Sequence, residues 1–225
     1  MSSKNTFSKL KDKQIWDAEN IFYLKSQTER ISKLLYQYEL YKKIIDVPGD
    51  IIECGVYKGV SLIRLLTFRD VLENYNARKV YGFDVFGKFP TTHLRSSDKK
   101  FVKLFEEAGG HGIHIQELDI LLKEKNFNNY ELVKGKVEKT LPIYCKKNSG
   151  NKIALLHIDL DVYQPTKFVL NYLYKKISKG GMILIDDYNQ VDGANKAVDE
   201  FLMSNKNLKL KKLNFLYAPS YIIKT

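Results

Sequence analysis

Short, continuous apolar runs ending at or beside acidic residues alternate with stretches of helical periodicity through most of this chain. The runs are Ile51-Ile-Glu-Cys54, 79–83, 131–134, Ile153 to Asp159 and Met182 to Ile185. Between them lie helical patterns at 61–72, 166–177 and 193–204. Strands that are apolar on both faces and separated by helices belong to a parallel sheet covered on both sides. The expected fold is therefore α/β, a Rossmann-like, doubly wound, mostly parallel sheet with helices on both faces. The tail breaks the alternation: Leu208-Lys-Leu-Lys-Lys-Leu and Ala218-Pro-Ser-Tyr-Ile-Ile-Lys have no helix between them. They predict an antiparallel C-terminal edge.

Residues 1–48 read as an N-terminal helical segment. Ile31, Leu34, Leu35, Tyr38, Tyr41 and Ile45 recur at helical spacing until Pro48-Gly49 stops the pattern. This segment is expected to precede the core and to serve as a lid or oligomer contact. One domain then fills 49–225. Within it, 87–117 turns polar and glycine-bearing, as in Gly109-Gly-His-Gly112, and reads as a substrate-side insertion over the strand ends.

The formal charge of +11 invites a nucleic-acid reading, but only five of the 37 basic residues are arginines: Arg30, Arg64, Arg69, Arg78 and Arg95. Bidentate phosphate and base recognition lean on arginine, and no dense basic block with interleaved aromatics is present. A lysine-rich surface able to steer an anionic small molecule is the expectation, without nucleic acid as partner. Apolar runs are far shorter than the roughly 20 residues that span a bilayer, so no membrane helix is expected. Met1-Ser-Ser-Lys-Asn-Thr-Phe lacks a leader pattern, and Cys54 and Cys145 suggest no disulfide framework, which points to a reducing cytoplasm.

Ligands of open α/β sheets bind at the carboxyl ends of the strands. After the first strand, Glu53-Cys-Gly55-Val-Tyr-Lys-Gly59-Val-Ser61 can turn closely past a ligand into a helix. Its Gly-x-x-x-Gly spacing and late acid, Asp84, disfavour a dinucleotide. Asp84 ends the second strand, where a carboxylate can accept both hydroxyls of an adenosine ribose or, alternatively, cap a turn.

The strongest signal is acidic: Asp159 and Asp161 at one strand end, Asp186 and Asp187 at the next. Residues two apart on a strand share a face, so Asp159 and Asp161 are expected to converge by alternation. Asp186 and Asp187 can converge only if the chain leaves strand geometry. Crowded carboxylates call for a cation, and an all-oxygen set suits Mg²⁺ or another hard divalent ion. Such an ion stabilises a developing alkoxide while a free carboxylate takes the proton.

These residues sit in stretches that resemble the macrocin, mycinamicin and novobiocin O-methyltransferase family, including nucleotide-sugar 3-O-methyltransferases. The stretches are Gly49-Asp-Ile-Ile-Glu-Cys-Gly-Val-Tyr-Lys-Gly59, Arg69-Asp-Val-Leu-Glu-Asn-Tyr-Asn76, Tyr81-Gly-Phe-Asp-Val-Phe-Gly-Lys-Phe-Pro90, Thr140-Leu-Pro142, His157-Ile-Asp-Leu-Asp-Val-Tyr-Gln-Pro-Thr166 and Gly180-Gly-Met-Ile-Leu-Ile-Asp-Asp-Tyr188. The resemblance implies a class I S-adenosylmethionine-dependent enzyme. Asp159, Asp186 and Asp187 would ligate Mg²⁺, and Asp161 would be the general base. Glu53, Cys54, Gly55, Val56, Gly59, Ser61, Asp84, Val137 and Asp159 would line the cofactor pocket, with Gly135-Lys-Val-Glu-Lys-Thr-Leu-Pro142 beside the adenine. It also implies a nucleotide-linked sugar as acceptor and a homodimer or larger assembly. Two other readings stay open: a catechol-type phenol methyltransferase, and a non-enzymatic basic nucleic-acid or cofactor-binding module.

Among the remaining candidates, His157 is expected to be a hydrogen-bonded core histidine or a partner of the acids. His93, His111 and His114 are expected to be surface histidines of the insertion or, if it closes as a lid, substrate contacts. Tyr163 and Tyr188 could wall the site or pack, and Cys54 is expected to be a small buried residue.

Overall fold

The computed structural model describes residue 7 and residues 9–92 and 94–225; Met1 to Thr6, on which most of the leader expectation rests, and His93 lie outside the described residues. Among the described residues, β1 (Asp50–Cys54), β2 (Val80–Asp84), β3 (Tyr130–Lys134), β4 (Ile153–Ile158), β5 (Ile177–Ile185), β6 (Leu210–Lys211) and β7 (Ser220–Ile223) form one sheet in the order β3-β2-β1-β4-β5-β7-β6. The β1, β2, β3, β4 and β5 neighbours pair in parallel, whereas β7 runs antiparallel to both β5 and β6. The Rossmann-like sheet with its antiparallel C-terminal strand is thus as expected.

Alternation along the strands sends side chains to opposite faces, which is why each run had to be apolar throughout. Ile51 and Leu155 pack under α2 (Thr28–Lys42), α3 (Val60–Leu72) and α5 (Ile115–Glu124). Ile52 and Leu156 pack under α6 (Val137–Lys147), α7 (Tyr163–Leu173) and α8 (Asp192–Ser204). Strand order reverses between β1 and β4, so a crevice opens there at the carboxyl ends of the parallel strands.

Three expectations change. The N-terminal segment is two helices, α1 (Asp12–Lys25) and α2, because the chain turns extended at Ser26 and Gln27. Moreover, α2 belongs to the core: Tyr36, Leu40 and Tyr41 are fully buried, while α1 buries nothing. The helix expected at 166–177 starts earlier and stops at Leu173. Ile177 instead opens β5, pairing with Ile153, because its buried side chain is worth more in the core than in one further helical turn.

The 87–117 insertion contains a helix of its own, α4 (Ser96–Gly109), and its last residues already belong to the crossover helix α5. Only Asp98 and Val102 of α4 are buried. Asp98 accepts a hydrogen bond from the Tyr163 backbone N–H at the start of α7 (3.3 Å), which ties the insertion to the segment after the first acid motif.

Candidate active site

A cavity of about 1040 Å³ lies over the β1/β4 crevice, within the size range of small-molecule sites. Its floor carries Asp159, Asp161, Asp186 and Asp187, and its walls include Gly55, Asp84 and Val137. These seven of the predicted residues are brought together. The others stand behind the floor: Cys54 and Val56 are buried in the two cores, Gly59 caps α3, and Ser61 sits in the first turn of that helix.

The acids converge for a different reason than alternation. β4 ends at Ile158, and Asp161 adopts a left-handed conformation (φ 59°) that turns it back toward Asp159. β5 likewise ends at Ile185, so Asp186 and Asp187 need not face oppositely. Donor atoms of Asp159, Asp161 and Asp187 all lie within 4.8 Å of one another, as do those of His157, Asp159 and Asp186. The predicted set of Asp159, Asp186 and Asp187 is therefore split between two overlapping clusters that share Asp159. Asp187 also accepts the Asp161 backbone N–H (2.9 Å), fixing the turn that presents Asp161.

Burial, and then the charges of Asp186 and Asp187, push the Asp159 carboxyl well above its ordinary range. Burial, then Asp161 and Asp186, does the same to Asp187. Asp161 is lifted to about 8 by burial and by Asp159 and Asp186. Asp186 alone goes down, to about 2: burial opposes this, but His157 and Lys33 outweigh it. Lys33 and His157 both lie against Asp186, at 2.6 and 3.6 Å.

His157 is fully buried on β4. Its Nδ1 is 2.9 Å from Oε1 of Glu53, also fully buried on β1, and its Nε2 is 3.6 Å from Asp186. Burial lowers its basicity, but Asp186 and Glu53 outweigh that and raise it to about 10. Glu53 is thus an anchor for His157 behind the floor, and both expectations for His157 hold: it is a core histidine and a partner of the acids. His157 Nε2, Glu53 Oε2 and Asp186 Oδ1 have no hydrogen-bond partner. Asp186 Oδ1, a buried acceptor with no hydrogen-bond partner beside three further carboxylates, is what a hard cation with oxygen ligands would satisfy, so the residues fit such an ion.

Asp84 lines the cavity but already clamps two loops. It accepts the backbone N–H groups of Val56 (2.7 Å), Tyr57 (3.1 Å) and Phe86 (2.6 Å). The turn-capping alternative is therefore realised, and the carboxylate keeps lone pairs for a ligand. Gly55 (φ 93°) passes so close to β4 that an added Cβ would overlap the Asp159 carbonyl oxygen.

Several wall residues escaped the sequence reading: Arg30 and Lys33 reach the cavity from α2, and Phe101 and Phe105 from α4. Lys136 and Lys139, at the start of α6, belong to the Gly135 to Pro142 stretch expected beside the adenine, and both line the cavity. Lys33 donates to Asp186 at 2.6 Å. Its charge is favoured on balance: burial opposes it, and Asp186 and Asp159 prevail. Nothing in its local sequence distinguishes Lys33 from the other lysines, because the contact spans 153 residues. His111 lines the cavity and pairs with Glu106, whereas His114 caps α5. Tyr163 and Tyr188 bond Glu200 and Asp199 outside the cavity, so they pack rather than wall it.

A family model for macrocin O-methyltransferase matches residues 10–213. The chain belongs to the macrocin O-methyltransferase family. Demethyldecarbamoylnovobiocin O-methyltransferase of Streptomyces niveus is 30% identical over 164 residues, covering 69% of this chain and 59% of that protein. The 8-demethyl-8-(2,3-dimethoxy-alpha-L-rhamnosyl)-tetracenomycin-C 4'-O-methyltransferase of Streptomyces olivaceus is also 30% identical, over 162 residues, covering 69% of this chain and 58% of that one. The chain thus spans under two thirds of the length of these family members. Among solved structures, apo CalS11, a TDP-rhamnose 3'-O-methyltransferase of calicheamicin biosynthesis, is 29% identical with a TM-score of 0.67, over 97% of this chain and 89% of that one.

Proposed function

We propose that this protein is a divalent-metal-dependent O-methyltransferase acting on a sugar hydroxyl, most naturally the 3-hydroxyl of a nucleotide-linked deoxyhexose. Bound in the cavity, S-adenosylmethionine supplies an electrophilic methyl group and Mg²⁺ supplies Lewis acidity toward the acceptor hydroxyl. The observation that carries this reading is the floor: a left-handed Asp161 beside Asp159, Asp186 and Asp187, in a chain of this family.

In this scheme Asp159, Asp186 and Asp187 hold the ion, and Glu53 and His157 keep Asp186 aimed. Asp161, presented beside the proposed ligands by the turn that Asp187 holds, would be the carboxylate that takes the acceptor hydroxyl's proton, an ion bound at the cluster offsetting the burial and the charges of Asp159 and Asp186 that otherwise keep its carboxyl protonated. Gly55, Asp84 and Val137 shape the cofactor wall, while Phe101 and Phe105 exclude water from the acceptor side. Arg30, Lys33, Lys136 and Lys139 give that cavity a basic rim suited to a diphosphate. Two relatives are named for rhamnose chemistry, one of them on a nucleotide-linked sugar; this supports a deoxyhexose acceptor, in surface-polysaccharide or natural-product assembly.

The proposal includes a reducing, cytoplasmic setting, which the free Cys54 and Cys145 support. Among the described residues no helix is long and apolar enough to cross a membrane. It also includes a homodimer or larger assembly through the N-terminal helices. The decisive experiment incubates the protein with labelled S-adenosylmethionine, Mg²⁺ and a panel of nucleotide sugars and catechols. Label on a nucleotide sugar is the expected result, and label on a catechol alone would move the assignment to phenol methylation.

A further inference from the structure

We propose that Lys33 is the resident counter-ion of the acid cluster, a tether that holds the start of α2 against Asp186 and that a divalent cation must displace. The inference rests on the metal-binding reading above. Lys33 Nζ sits 2.6 Å from Asp186 Oδ2, in the same cavity as the other three aspartates. The opposite oxygen, Oδ1, has no hydrogen-bond partner and faces His157 Nε2 at 3.6 Å. An ion ligated by Asp186 would place a second cation against the ammonium, and like charges at such separation repel strongly. Lys33 and the metal therefore compete for one carboxylate.

The tether has a mechanical consequence because α2 is anchored unevenly. Its buried residues, Tyr36, Gln37, Leu40 and Tyr41, all lie beyond Lys33. No residue of the first two turns is buried, nor is any residue of α1. Apart from half-buried Leu34, which packs against the core, the Lys33–Asp186 pair thus holds the first two turns of α2. Its release by the metal would free the part of α2 that carries Arg30 and Lys33 while leaving the rest in place, so that both cations turn to an anionic acceptor.

The test uses the full chain stripped of metal, with Mn²⁺ as the probe by titration calorimetry and electron paramagnetic resonance, and amide exchange over residues 28–35. Lys33→Met should bind Mn²⁺ roughly tenfold more tightly than the unmodified protein, and Lys33→Arg should bind like it. Mn²⁺ should speed exchange of 28–35 in the unmodified protein, whereas in Lys33→Met that exchange should be fast beforehand. If Lys33→Met fails to fold by circular dichroism, Lys33→Gln is measured in its place. Unchanged or weaker affinity in a protein that does bind Mn²⁺ overturns the tether alone. Absence of Mn²⁺ binding in every form overturns the metal reading and the tether with it.

Discussion

Asp161 shows what a single residue draws from its surroundings. Its backbone takes a left-handed turn, Asp187 holds that turn, and burial with two neighbouring carboxylates lifts its own carboxyl to about 8. Replacement by Asn keeps the shape and removes the base, so methyl transfer should fall by about 10²- to 10⁴-fold while S-adenosylmethionine affinity is retained. Initial rates and calorimetry on one preparation test this, and unchanged turnover would remove Asp161 from the role of base. Gly55 is the other residue whose identity follows from one contact. Alanine there meets both a positive φ and the Asp159 carbonyl, so Gly55→Ala should lower stability by more than about 3 kcal/mol, read by urea denaturation. Asp84, by contrast, could be placed at a strand end from sequence, but its clamp on Val56 and Tyr57 depends on where the β1–α3 loop folds back.

At the scale of elements, arginines do structural work that their charge conceals. Arg78, nearly buried, pairs with Glu73 and donates to the carbonyls of Ile44, Ile45, Val47 and Gly49, stitching the end of α2 to the entrance of β1. Arg69, fully buried on α3, does likewise for the Asn128 and Asn129 carbonyls before β3. Arg78→Met should cost about 3 to 5 kcal/mol, because the nearly buried Glu73 loses its counter-charge and keeps only the Tyr41 hydroxyl, and four carbonyls lose a donor. A shift in the urea midpoint at constant slope is the expected signature. The family stretch beginning at Arg69 is therefore a structural one, whose role was invisible while its carbonyl partners were unknown. α4 went unread inside the insertion although Phe101, Val102, Phe105 and Ala108 recur at helical spacing; Phe101, Phe105 and Ala108 of that stripe face the cavity, so only Asp98 and Val102 of the helix are buried.

For the whole molecule, the balance between the acid floor and its cations sets the pH response. Asp161 titrates well above its ordinary 3.8, so the stability gained by holding that proton is complete in acid and is lost as pH rises through about 8. Asp159 and Asp187 shift in the same direction. Protein stripped of divalent ions should thus lose melting temperature between about pH 4 and 8, and saturating Mg²⁺ should flatten that slope, measured by scanning fluorimetry in matched buffers. α1 exposes Ile15, Trp16, Ile21 and Leu24 and buries none of its side chains. If this face meets a second copy, light scattering should report a dimer or larger, and Trp16→Glu with Leu24→Glu should yield a monomer. By itself the sequence determined the parallel sheet, its antiparallel edge and the strand ends that carry the acids, because apolar runs and helical periodicity are local patterns. It could not decide that α2 joins the core, that Glu53 stands behind His157, or that Lys33 reaches Asp186. Those pairings join residues 104 and 153 positions apart, and only the assembled sheet with α2 packed on it brings them within reach of one another.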